Sequence, residues 1–205
     1  LFTVILNIID YILLISSKYK TYILVINRPV MKKLILAILL AAGLTGTAQA
    51  GERGVNIYDT PRKVPAKEII HNDLKRYKLS DFPDKFVMAV FWSRNCVPCV
   101  KELDSLNNMS QKVKDNGLQV VLVSPSREWG SIEEQRRFLD KYGAKDMDFY
   151  VDENGNLASE LGIFTSPHTV LVNRKGEEIG RIRGAAEWDD DDVIEYLYKI
   201  KAQHG

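Results

Sequence analysis

Phe86-Val87-Met88-Ala89-Val90-Phe91-Trp92-Ser93-Arg94-Asn95-Cys96-Val97-Pro98-Cys99 is the stretch that decides the fold. Its first seven residues are apolar without alternation, as in a strand buried on both faces. Beyond a short polar break, Val100, Leu103, Leu106, Met109 and Val113 recur at intervals of three and four. That is one face of a helix, closed by Asn116-Gly117. The chain's only two cysteines, Cys96 and Cys99, stand at the strand-to-helix junction. A helix beginning near Asn95 puts Cys96 on the first turn, where unpaired N–H groups and the positive dipole end favour thiolate over thiol. The thiolate is the attacking species in disulfide exchange. Cys99 lies one turn further in, beneath Cys96 and less exposed. Cys96 is therefore read as the attacking sulfur and Cys99 as the one that resolves the mixed disulfide. Pro98 falls in the first turn, where its missing N–H costs no helical bond.

Working outward, Leu118–Val123 reads as a second buried strand and Ser131–Tyr142 as a helix with Ser131 and Glu134 in a capping-box pattern. Asp148–Val151 is a short strand, followed by the turn Asp152–Gly155 and a short helix over Asn156–Leu161. Thr169–Asn173 and Glu178–Arg183 flank Arg174-Lys175-Gly176 as an antiparallel hairpin. Asp189–Ala202 is a closing helix, led by four aspartates and ended by lysines in accord with the helix dipole. Upstream, Glu68–Ile70 and Tyr77–Leu79 form a short hairpin, Phe82-Pro83-Asp84 a turn, and Gly51–Lys67 a loosely ordered lead-in. Strands and helices alternate before a terminal hairpin and helix. That order predicts an α/β fold with a central mixed sheet covered on both faces.

Met31-Lys32-Lys33, the eleven apolar residues Leu34–Leu44 and Ala48-Gln49-Ala50 have the layout of a secretory signal peptide, with cleavage before Gly51. The apolar run is short beside the about 20 residues of a membrane span, although an uncleaved anchor competes. Residues 1–30 read as an over-extended start. The rival reading makes Leu1–Ser17 a membrane segment, but Asp10 interrupts it. Taking five Lys/Arg and one Asp of residues 1–50 from totals of 28 and 27 leaves 23 basic and 26 acidic groups, a net of −3. Nothing in that balance points to nucleic acid or an anionic membrane surface. Export places the cysteines where disulfides persist, and two are too few to build a scaffold.

Other uses of the pair remain. A structural disulfide across three residues constrains the unfolded chain little. A zinc site lacks two further ligands, since His71, His168 and His204 are scattered. A Cu(I) carrier is chemically apt for thiolates, with His168 as third ligand if Pro167 lies beside the cysteines.

Phe91–Cys99 resembles the active-site segment of thioredoxin-like proteins, and Lys101-Glu102-Leu103 after the second cysteine resembles the TlpA/ResA branch of exported thiol-disulfide oxidoreductases. Thr165-Ser166-Pro167-His168-Thr169 is similar to the family's cis-proline loop, and Gly184–Asp189 to a tail segment of some TlpA-like members. The resemblance spans roughly Glu68–Ile200. It implies a thioredoxin fold over residues 68–203, with an N-terminal β-hairpin and an inserted helix at Ser131–Tyr142. It implies a cis Pro167 packed on the cysteine pair and Ser166 backbone pairing with an extended substrate. It implies no cofactor beyond the Cys96–Cys99 disulfide, and a monomer in the periplasm. Its clients would be exported proteins with disulfides, in cytochrome c maturation or copper-site assembly, and a membrane thiol donor would re-reduce it. An oxidase or isomerase fits the same motif, because direction depends on potential. The chain departs from the pattern in four places. Asn95 stands where the family usually has Trp, offering an N-cap and an altered substrate-facing surface. Val90 replaces thioredoxin's buried Asp, so another group or water must take the proton of Cys99. Asp104 replaces a helix-kinking proline. Arg94 brings a cation near Cys96, or is a solvated surface charge. Trp92 is read as packing at the substrate edge of the site, His168 as a polar rim residue, and Trp129 as a partner contact or core residue.

Overall fold

The computed structural model describes residues 54–82 and 84–204. The expected over-extended start (1–30) and signal peptide (31–50) lie outside these residues, as does Pro83 of the expected turn.

The apolar run Phe86–Phe91 is a strand, β4, with all six residues buried. It pairs in parallel with β5 (Leu118–Pro125) and antiparallel with β7 (His168–Val172). Strand alternation sends Phe86, Met88 and Val90 into one core and Val87, Ala89 and Phe91 into another. The first core holds Cys99 of α1 (Val97–Lys101), Leu103, Leu106 and Met109 of α2 (Leu103–Val113), Leu139 of α3 (Ile132–Lys141), and Ile194 and Leu197 of α5 (Asp191–His204). The second is closed by Leu157 of α4 (Asn156–Glu160) and by Leu161 and Ile163. A strand with two buried faces and two paired edges needs an unbroken apolar sequence, which is what Phe86–Phe91 is.

The other strands are β1 (Val55–Lys63), β2 (Ile69–His71), β3 (Arg76–Tyr77), β6 (Phe149–Asp152) and β8 (Glu177–Arg183). Among the described residues the sheet runs β1-β8-β7-β4-β5-β6-β2-β3. The α1/α2 pair and α3 are the crossovers that keep β4, β5 and β6 parallel. The N-terminal hairpin β2–β3 lies at the far edge, antiparallel to β6. The mixed α/β architecture is the one the sequence predicts. Ser131 caps α3 as expected, accepting from the Glu134 N–H at 3.2 Å.

Two expectations change. Within the lead-in Gly51–Lys67, residues 55–63 form the edge strand β1, paired with β8. Of its nine residues only Tyr58 is buried, so there is no alternation to betray it. It is held across to β8 by the Tyr58 hydroxyl, which donates to Glu178 Oε1 at 2.8 Å, and within β1 Arg62 lies 3.8 Å over the Tyr58 ring. The helix after Cys96 is also not continuous. It breaks at Glu102, which has φ −87° and ψ −5° and ends α1 while starting α2. The break forms with Asp104, not proline, at the usual kinking position.

Gly180 lets β8 and the edge strand β1 approach. A Cβ there would meet the Asn56 carbonyl oxygen at 2.6 Å and Ile57 Cδ1 at 2.7 Å. Gly180→Ala is expected to cost about 1–3 kcal/mol, as overpacking does. Urea melts would read the loss. Amide exchange should rise at Val55–Ile57 and stay slow in β4.

Candidate functional site

Cys96 and Cys99 form a disulfide, with Cα atoms 5.3 Å apart. Their exposures differ as the helix geometry predicts: Cys96 is half-buried, while Cys99 is 0% exposed. The N-cap is Cys96 itself, not the Asn95 offered by the sequence. Its Sγ accepts the Cys99 N–H at 3.3 Å, and its amide donates to the Ser93 carbonyl at 3.1 Å. Asn95 is exposed and precedes the cap. Pro98 occupies the first turn, as expected.

The approach to Cys96 is tied to the segment after β5. The Glu128 carboxylate accepts the Ser93 hydroxyl at 2.7 Å and the Arg94 N–H at 2.9 Å. Arg94 donates to Glu134 at 2.7 Å and to the Glu128 carbonyl at 3.0 Å, and lies 4.8 Å over the Trp129 ring. The Arg94 charge is thus engaged by α3 and Trp129 while its side chain stays partly exposed. Trp92 is 2% exposed, its ring 5.7 Å from that of Trp129 and 6.0 Å from that of Phe138. The Trp92 ring packs against both, and the residue also borders the cavity beside Ser166. Trp129 is a packing residue too, donating to Ser124 Oγ at 2.8 Å.

On the other side, the Ser166–Pro167 peptide bond is cis. The Ser166 carbonyl oxygen stands 3.4 Å from Cys96 Sγ. A cavity of about 430 Å³ runs away from Ser166, bordered by Ser93, Pro125, Arg127, Ile163 and Phe164. Phe164 is 85% exposed at its rim, a large apolar surface that the sequence did not single out. His168 is not a rim residue. It opens β7 opposite Phe91 and Arg183, is 5% exposed, and its Nε2 has no partner among the described residues. Burial, then the charges of Arg181 and Arg183, pushes its pKa down to about 4. Among the described residues no group of three or more His, Cys, Asp or Glu could hold a metal ion.

The sequence reading also missed Glu102. It is 3% exposed, one turn beyond Cys99. Its Oε2 accepts the Trp188 indole N–H at 2.8 Å and the Ala186 N–H at 3.2 Å, while Oε1 has no partner among the described residues. Burial pushes its pKa from 4.5 up to about 7, and the two N–H donors pull the other way. The available signal was an acidic residue three positions after Cys99, next to the apolar stripe of the helix.

The chain matches the Redoxin family model over residues 61–198 and belongs to that family. It is 25% identical to thiol-disulfide oxidoreductase ResA of Bacillus thuringiensis subsp. konkukian, over 85% of this chain and 97% of that one. To the protein of the same description in Oceanobacillus iheyensis it is 29% identical, over 80% and 85% of the two chains. Its structure is similar to the thioredoxin domain of a thiol-disulfide oxidoreductase from Bacteroides vulgatus, with TM-score 0.57, 23% identity, and 70% and 99% of the chains covered. The fold is the thioredoxin fold.

Between pH 4.5 and 7 the folded protein holds a proton on Glu102 that the unfolded chain releases, so stability falls as pH rises. The full loss, reached above pH 7, is about 3 kcal/mol. Denaturant midpoints at pH 5 and pH 8 should diverge in the wild type and converge in Glu102→Gln.

Proposed function

We propose that this Redoxin-family chain, a thiol-disulfide oxidoreductase, runs its exchange outside the cytoplasm in the reducing direction. The observation that supports exchange at this pair is its asymmetry, and the reducing direction follows from the TlpA/ResA resemblance. One sulfur is reachable and sits beside the cis-proline loop, while the other is buried three residues before Glu102, a buried carboxyl group of raised pKa.

In the reduced protein the Cys99 N–H that meets Cys96 Sγ would stabilise the Cys96 thiolate. That thiolate attacks one sulfur of a client disulfide, and the other client sulfur leaves as a thiolate and takes up a proton. Cys99 then gives its proton to the Glu102 carboxylate and attacks Cys96 Sγ. The mixed disulfide breaks, the second client thiolate leaves and is protonated, and Cys96–Cys99 closes. Two electrons pass to the client, and an external dithiol must return them. Glu102 answers the proton-acceptor problem posed by Val90, which lies in the core. An extended client segment pairs with the Ser166 backbone beside the sulfur, and Asn95 borders it. The clients are disulfides of exported proteins, with cytochrome c maturation and copper-site assembly as the settings, and the electron donor is a membrane thiol reductant. The protein works in the periplasm as a monomer.

The test is insulin reduction with dithiothreitol as donor, joined to a redox titration of Cys96–Cys99. Cys96→Ser should fall to the uncatalysed rate. The potential should lie nearer the reducing end of the thioredoxin-fold range, about −270 mV, than its oxidising end, about −120 mV. A value at the oxidising end makes the protein an oxidase and overturns the direction.

A further inference from the structure

After β8, residues 184–190 run back along the cysteine helix as a strap. Its bonds fall on one line of α1 and α2. Ala186 N–H and the Trp188 indole N–H go to Glu102, Trp188 N–H goes to Ser105 Oγ at 3.2 Å, and Asn108 donates to Asp189 at 3.0 Å. Lys112 Nζ closes the series on the Asp189 carbonyl at 2.8 Å. Trp188 is 1% exposed, so its indole donor and the carboxyl acceptor meet away from water.

Glu102 has two oxygens in unlike surroundings. Among the described residues Oε2 receives two donors, and Oε1, buried, receives none. A buried carboxylate with one oxygen lacking a donor costs more than the neutral acid there, because protonation removes the charge. We propose that Trp188 is the positioning residue for the Glu102 proton: its indole N–H, with the Ala186 amide, holds Oε2 as acceptor and leaves Oε1 to carry the hydrogen. The strap thereby sets both the orientation of the carboxyl and how readily it gives up and regains its proton during exchange. The charged groups bordering it are Lys101 on α1 and Glu187 on the strap. Both line a cavity of about 190 Å³ with Glu102, Pro98, Ala185 and Ala186. On α2, Asp104 packs against Gly143 and Ser105 is engaged by the strap. The inference rests on Glu102 being the acid-base group of the exchange, as read above.

The test begins with the unmodified, oxidised protein. The Trp188 indole ¹⁵N–¹H resonance should titrate with a midpoint near 7, and the titration should vanish in Glu102→Gln. The second readout is the pH profile of mixed-disulfide resolution. Trp188→Phe keeps an aromatic ring at the site and deletes the donor, so it should move the Glu102 step upward by about one unit without abolishing it. Because Trp188 acts through Glu102, the double variant Glu102→Gln/Trp188→Phe should match Glu102→Gln within about twofold. An indole resonance that stays flat from pH 5 to 9 overturns the proposal, and so does a double variant slower than that. If Glu102→Gln erases the step but Trp188→Phe leaves its midpoint in place, Trp188 alone is refuted. A wild-type profile without the step refutes the role of Glu102 itself.

Discussion

The pairing of β4 with β7 is the constraint on which the site depends. Phe91 at the end of β4 is opposite His168 at the start of β7, and the strands run antiparallel. The chain leaving β4 toward Cys96 and the chain arriving from Pro167 therefore meet at the same edge of the sheet. Six buried residues in β4 hold that register, because a slip by one residue would exchange the two faces and put Phe86, Met88 and Val90 in the wrong core. The contact of 3.4 Å between Ser166 and Cys96 is a consequence of strand register more than of any bond between the two loops.

The surroundings of the cysteines are polar groups held in place by carboxylates. Glu128 fixes the backbone at Ser93 and Arg94, α3 engages the Arg94 guanidinium, and the strap holds Glu102. Glu128 and Glu134 stay partly exposed, whereas Glu102 is taken from water and given specific donors, as burial of charge requires. Glu102 is incompletely supplied, and its burial outweighs its two donors and raises its pKa to about 7. The same incompleteness makes the carboxyl a cost to the fold at high pH and a usable group in the chemistry.

The position of thioredoxin's buried Asp is filled here by Val90, and a buried carboxyl group, Glu102, stands elsewhere in the chain, close in sequence to Cys99. It comes from the cysteine helix itself, three residues on, and the break between α1 and α2 at Glu102 turns that side chain toward the strap. The kink needs no proline, because the bonds of Glu102 to Ala186 and Trp188 accompany the change of backbone direction.

The two periodicities were legible in the sequence. An unbroken apolar run made β4, and apolar residues every three or four positions made the helix after it. The order of strands and helices, the cysteine pair at a helix start and the X-Pro loop followed from local pattern and motif. The edge strand β1 was not legible, because one buried residue in nine leaves no pattern, and its pairing partner lies more than a hundred residues away. Nor were the partners of Arg94, the burial of His168 or the environment of Glu102. Each depends on which distant segment packs against it: α3, β8 and the strap, respectively. By itself the sequence determined which residues could do thiol chemistry, since covalent identity and helix position are local properties. Tertiary structure alone decided their charge states and neighbours, because desolvation and hydrogen bonding arise only when distant parts of the chain exclude water together.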